Sequence, residues 1–299
     1  MRLRATALIL LIVPLLLLPA CEQEPAAAPP AEAQAPPARL ICMAPNIVET
    51  VFALGEGDRV LGVASFTTWP EEATELPDVG ALYDPDLERI VALKPDLMII
   101  QQKHEKVEAL CAERGIEVMI VDMGRVAGVF EGIRRIGRRL DAEDRAEALC
   151  DEIESDLAAV AERIGDGPPV ATFLCVDRQP GTLKGLFTVG GESFLSEMLA
   201  IAGGRNIFAD VSRDYFQPSL EALVARGPEA IIELRPSQAQ TEEAKAKLFG
   251  DWQALKNLPA VESGRIAVLT EEYIVLPGPR MARIAERLAE VLHGDADEE

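Results

Sequence analysis

Two stretches of this chain, 133 residues apart, carry one pattern, and that duplication limits the fold more than any other feature. Residues 85–99 read PDLERIVALKPDLMI and residues 218–232 read PSLEALVARGPEAII, with seven of fifteen positions identical and no gap. Each copy opens on a Pro, continues through a short helix-forming segment, breaks at a second Pro and ends in an apolar run. Upstream the likeness is weaker: a helical stretch, Ala53-Leu54-Gly55 and Arg59-Val60 in the first half, against Ala202-Gly203-Gly204 and Asn206-Ile207 in the second. A pattern recurring once per half of a 299-residue chain predicts two duplicated lobes, since a solenoid needs more copies.

Around the repeat, short apolar runs alternate with amphipathic stretches. Strands are expected at 40–44, 59–63, 97–101, 117–121, 170–176, 230–234 and 266–269. Helices are expected at 47–54, 87–93, 105–114, 130–140, 192–202, 220–226, 242–249 and 279–292. This alternation predicts an α/β fold with mainly parallel strands. Asn46 and Glu49 have the spacing of a capping box. One segment breaks the rhythm. From 143 to 164 the residues Ala146, Leu149, Ile153, Leu157, Val160 and Ile164 recur at helical steps, and Gly165-Asp166-Gly167-Pro168-Pro169 ends the run. A single long helix in mid-chain predicts a spacer between the lobes. The boundaries read as 40–142 for the first α/β lobe, 143–167 for the linking helix, 168–293 for the second α/β lobe and 294–299 for an acidic tail.

The two termini need separate treatment. Arg2 and Arg4 precede an apolar run from 7 to 18, which is too short for a membrane span and has the form of a signal peptide over 1–20. Cys21 follows a small residue, as at a bacterial lipoprotein cleavage site, and lipidation of its thiol is expected. Residues 21–39, rich in Pro and Ala, form a tether. The chain is then secreted across the inner membrane, periplasmic or at the cell surface, and held to a membrane through that anchor alone. Cys42, Cys111, Cys150 and Cys175 form no C-x-x-C pair and suit buried apolar positions; a disulfide among them is left open.

Composition removes several functions. Acidic residues outnumber basic ones 50 to 29, giving a net charge of −21, which disfavours nucleic acid and anionic lipid as partners. His104 and His293 are the two histidines, too few for a multi-imidazole metal site, and no resident metal or cofactor is expected. No nucleophile elbow, phosphate-binding loop, zincin or dinucleotide motif occurs, so the chain reads as no enzyme. Gly190-Gly191-Glu192-Ser193 looks like an anion-binding helix start, but Glu192 opposes that and a tight turn capped by an acid is preferred.

Two α/β lobes create a cleft beyond the carboxyl ends of their strands. Phe66, Trp69, Tyr83, Phe187, Tyr215, Phe216 and Tyr273 fall in the loops expected there. They are half of the chain's two Trp, three Tyr and nine Phe. That concentration suits a flat, bulky, largely apolar ligand. Arg125, Arg178, Arg235 and Arg280 are the cations placed in the same loops. Glu88 and Glu221 are the matching acids of the repeat. The helix dipole explains each alone; the sharper reading is that together they are a two-point dock for basic sockets on a symmetric partner.

The segments APNIVETVFALGEGDRVLGV, PDLERIVALKPDLMII, FTVGGESFLSEMLAIAGGRNIF, PSLEALVARGPEAII and PGPR together resemble the class III substrate-binding proteins of ABC importers over residues 40–292. The resemblance implies two Rossmann-like lobes joined by a single long rigid helix, a ligand cleft between them, a cargo of cobalamin, haem or ferric siderophore type, no catalysis, and a monomer that delivers to a permease dimer. It implies that Glu88 and Glu221 meet permease arginines. It places Phe66, Trp69, Leu82, Tyr83, Phe187, Tyr215, Glu272, Tyr273 and Arg280 around the ligand, with a cobalamin or other corrinoid as first choice. Leu82 stands where a well-known cobalamin receptor has Trp. Val79-Gly80 is followed by Ala81, so the axial Tyr of many haem receptors is absent. The four arginines keep ferric siderophores as the alternative. Two non-transport readings remain: a hydrolase using Asp122, Asp177 and His104, or a scaffold lipoprotein with a filled cleft.

Overall fold

A computed structural model describes residues 35–236 and 241–294. The signal peptide, Cys21, most of the tether and most of the acidic tail lie outside the described residues. The described residues from Pro36 onward form one compact unit.

In chain order the first half contains β1 (Leu40–Cys42), α1 (Pro45–Ala53), β2 (Val60–Val63), β3 (Gly80–Ala81), β4 (Asp84–Pro85), α2 (Leu87–Leu93), β5 (Leu97–Ile100), α3 (Glu105–Arg114), β6 (Glu117–Ile120) and α4 (Val126–Leu140). The 22-residue α5 (Glu143–Ile164) follows. The second half contains β7 (Val170–Asp177), β8 (Phe187–Val189), α6 (Phe194–Ile201), β9 (Gly204–Asn206), β10 (Tyr215–Phe216), α7 (Leu220–Arg226), β11 (Ala230–Leu234), α8 (Glu242–Asp251), α9 (Pro259–Glu262), β12 (Ile266–Leu269) and α10 (Met281–His293).

The strands form two principal sheets. The first is parallel throughout, in the order β2-β1-β5-β6. In the second, β7 pairs in parallel with β9 and β11, and β11 with β12. The parallel part of each sheet therefore repeats one topology, with the opening strand between the second strand and the strand of the repeat. The two copies also match locally. Asp86 and Ser219 cap α2 and α7 by accepting from Arg89 N and Ala222 N at 2.9 and 3.1 Å. Lys94 and Gly227 then end the two helices in the left-handed region, at φ 49° and 52°.

The second sheet carries strands that the sequence reading missed. β8 runs antiparallel to β7, and β10 antiparallel to β8. Phe187, Tyr215 and Phe216 thus lie on strands, not on loop tips. Phe216 packs edge-on against Phe208 of the core and is partly buried there.

α5 buries Ala146, Cys150, Ile153, Leu157 and Val160, so Cys150 takes the inward place expected of Leu149. Its face packs on α4 from the first half and α10 from the second. Contact with α4 is close: a Cβ on Gly137 would stand 2.5 Å from that of Ala146. One apolar cluster runs from the first sheet through α5 to α10 without interruption.

Cys42, Cys111, Cys150 and Cys175 are buried and unpaired. Burial pushes the Cys42 and Cys175 thiols up to about 12, and those of Cys111 and Cys150 to about 11. Thiolates react and thiols do not. Native protein at pH 8 is therefore expected to leave all four unlabelled by a thiol-disulfide reagent, and urea-unfolded protein to release all four; rapid native labelling would contradict this packing.

Candidate functional site

The carboxyl ends of the parallel strands in the two sheets lead into the Trp69, Tyr83 and Tyr273 segments and the Arg178 and Arg235 positions. Among the predicted residues the structure assembles two groups. The first centres on Arg280, at the start of α10. Its Nε and Nη2 donate to the two oxygens of Glu49 at 3.0 and 2.7 Å, and its Nη1 donates to Glu272 at 2.6 Å. Its guanidinium carbon lies 5.5 Å from the Trp69 ring and 5.1 Å from the Tyr273 ring, both within cation–π range. The two acids respond oppositely. Burial pushes the Glu49 carboxyl above its ordinary range, against the lowering by Arg280. Burial is the largest single influence on Glu272 and opposes its ionisation, but the hydrogen bond from Arg280, its backbone hydrogen bond and the charges of Arg280 and Arg283 together lower its pKa.

The second group is Phe187 stacked on Tyr215, with centroids 6.0 Å apart and planes within 13°. Phe187 opposes Asp177 at the carboxyl end of β7. The remaining candidates stand apart. Phe66 and Tyr83 are 78% and 80% exposed, and Leu82 packs on the core beneath its own loop. Tyr83 shares a 410 Å³ cavity with Lys103 and His104. His104 caps α3, its Nδ1 accepting from Val107 N at 3.3 Å.

Three expectations need correction. Asn46 and Glu49 form no capping box: Ala44 is the N-cap of α1 and makes no side-chain cap, with Pro45 in the first turn. Asn46 instead donates through Nδ2 to Pro277 O at 2.7 Å, and Glu49 holds Arg280. Both residues therefore tie the first half to the segment before α10. Next, the turn at Gly190 and Gly191 is not capped by an acid, and its N–H groups are taken up within the chain. Their N–H groups donate to Asp214 O and Val211 O, a Cβ on either would meet a backbone oxygen at 2.1 Å, and Ser193, not Glu192, caps α6.

Finally, Arg178 and Arg235 belong to a buried ionic cluster. Glu233, in mid-strand on β11 and fully buried, accepts from Arg178 Nε and Nη2 at 2.9 and 2.7 Å, from Arg235 Nε at 3.0 Å and from Trp252 Nε1 at 2.6 Å. Arg178 also donates to Asp251, and Arg235 to Asp177, each at 2.7 Å. Arg125 is likewise engaged, donating to Glu197 at 2.8 Å across the two halves. The other oxygen of Glu197 accepts from Val126 N at 2.7 Å. Glu49 and Glu233 each carried a legible signal, an acid within an apolar run, which demands a buried cation. The identity of that cation was not legible.

Glu88 and Glu221 are exposed and occupy the same place in the first turns of α2 and α7. Neither enters an ion pair among the described residues. Hydrogen bonds from its own backbone and from Ser219 hold Glu221 below the ordinary carboxylate range.

The described residues thus form one parallel and one mixed sheet, with α5 packed against helices of both halves and aromatic side chains near the strand ends. The chain belongs to the periplasmic binding protein family, whose model matches residues 40–273. That family consists of binding proteins that serve transport, not of enzymes. An ABC transporter substrate-binding lipoprotein of Bacillus subtilis is 28% identical over 271 residues, covering 88% of this chain and 82% of the relative. A vitamin B12-binding protein of Vibrio parahaemolyticus is 27% identical over 251 residues, covering 83% and 86%. The solved structure of a periplasmic haem-binding protein from Roseiflexus has a TM-score of 0.71 at 25% identity, covering 85% of this chain and 97% of that one.

Proposed function

We propose that this protein captures a bulky metal chelate, a cobalamin or another corrinoid, and hands it to the permease of an ABC importer. Residues 40–142 and 168–293 act as the two walls and 143–167 as the strut between them. Glu88 and Glu221 dock on the permease dimer, and Cys21 carries the lipid that holds a monomeric receptor at the membrane.

The observation that carries the ligand choice is the pairing of the cleft arginines. Arg125, Arg178, Arg235 and Arg280 are all bonded to carboxylates of the protein itself. Freeing any of them for a ligand strands an acid, which is costly where the acid is buried. The exposed groups on offer are instead Phe66, Trp69, Tyr83 and Tyr215. Aromatic faces with internally neutralised cations fit a chelate with an amide-fringed rim better than a polyanionic siderophore or the propionates of haem.

Titration by calorimetry and visible absorption tests this. Cyanocobalamin is expected to bind at one per chain with Kd below about 1 µM, a binding free energy of about −8 kcal/mol. Hemin and ferric siderophores are expected to bind at least about a hundredfold more weakly, a difference of about 2.7 kcal/mol. Preference for hemin or a siderophore would overturn the corrinoid choice.

A further inference from the structure

Resting on the receptor reading above, we propose that Glu49 is a positioning residue of the cleft: its carboxylate fixes the Arg280 guanidinium and, through it, the Trp69 and Tyr273 rings that the ligand packs against. Glu49 is one of the few buried acids, set in α1 among the core residues Ile47, Val48 and Val51. Both its oxygens are committed to one guanidinium, and a forked pair of this kind fixes the donor plane as well as its position. Glu272 makes one bond to the same cation and is far more exposed, 39% against 4% for the side chains, so it adds charge but little constraint.

The pair also crosses the molecule. Glu49 and Trp69 come from the first half, Arg280 and Tyr273 from the second. Two rings on different lobes are thus referenced to a single cation, and that cation to one buried acid. Asn46, three residues before Glu49, holds Pro277 O, so α1 grips the same segment at two points. An arginine is required, because a lysine can neither fork onto a carboxylate nor spread its charge across two rings.

Trp69 reports on this arrangement without any ligand. The chain has two tryptophans, and Trp252 is fully buried, so acrylamide quenching reads Trp69; W69F provides the baseline. In the ligand-free full-length protein, Glu49→Gln is expected to raise the Trp69 quenching constant about twofold and shift its emission to the red. Arg280→Lys, which keeps the charge, is expected to do the same, and E49D to recover part of the protection. Cyanocobalamin binding to E49Q is expected to weaken about tenfold, which is about 1.4 kcal/mol. Circular dichroism and the urea midpoint establish that each variant is folded. Should E49Q misfold, R280K carries the test alone.

Wild-type quenching in a folded E49Q or R280K would overturn the proposal, and so would altered quenching with unchanged affinity. If the wild type binds none of the chelates, the corrinoid reading fails and the step from Trp69 to ligand fails with it. If the wild type binds and E49Q behaves as wild type throughout, the receptor reading stands and the role of Glu49 alone is refuted.

Discussion

Glu233→Gln is expected to lower the unfolding free energy by about 3–5 kcal/mol, the cost typical of breaking a buried ion pair from one side. Four donors converge on the Glu233 carboxylate: two from Arg178, one from Arg235 and one from Trp252. An amide of the same shape removes the negative charge and turns a donor toward guanidiniums that are themselves donors. Arg178, whose side chain is fully buried, is left with Asp251 as its one carboxylate. Arg235 has an Nη2 that already lacks a partner, and it loses its buried counter-charge. Urea unfolding followed by Trp252 emission and circular dichroism measures the loss. Asp177→Asn is the control. Asp177 meets Arg235 from a side chain 68% exposed, where an ion pair contributes about 1 kcal/mol or less. Equal losses from the two substitutions would show that the cluster does not depend on its buried acid.

Reversing both Glu88 and Glu221 to Lys is expected to reduce uptake about a hundredfold or more while leaving the affinity for ligand unchanged. The two acids lie in the first turns of α2 and α7, on matching copies of the repeat, and neither enters an ion pair among the described residues. A dimeric permease presents two equivalent patches, and a duplicated receptor meets both. Each reversal replaces an attraction with a repulsion, and like charges brought together at an interface cost several kcal/mol. A tenfold loss per site is about 1.4 kcal/mol, so the estimate for the pair is conservative. Uptake by cells carrying the double variant, beside calorimetry on the purified receptor, separates docking from capture. Single reversals should fall between, and wild-type complex formation should weaken as salt rises. Undiminished uptake by the double variant would place the dock elsewhere.

How far these sites were legible follows from the range of the forces that make them. The repeat, the α5 stripe and the parallel strands are written in local periodicity, and α2, α3, α7, β11 and β12 begin and end where the sequence places them. β8, β9 and β10 are two or three residues long, too short for alternation to be visible; pairing with β7 makes β8 and β9 strands, and pairing with β8 makes β10 one. Asn46 and Glu49 show why a spacing alone misleads. Residues three apart at a helix start suit a capping box, but they also share a face, and here that face meets the Pro277–Arg280 segment from 231 positions away. The arginines failed for the same reason. Loop position placed them near the cleft, while their engagement depended on acids brought in by tertiary contact.

Among the described residues the two halves are fastened along α5, at the contact of Asn46 and Glu49 with the Pro277–Arg280 segment, and at that of Glu197 with Arg125 and Val126. A body tied in this way is expected to keep nearly one shape whether or not it is loaded, and a shape that does not change cannot advertise its contents. For an importer of the kind proposed, vacant receptors then queue at the same gate as full ones. Flux should pass through a maximum as receptor becomes abundant relative to cargo, because each idle copy that berths keeps a laden one waiting.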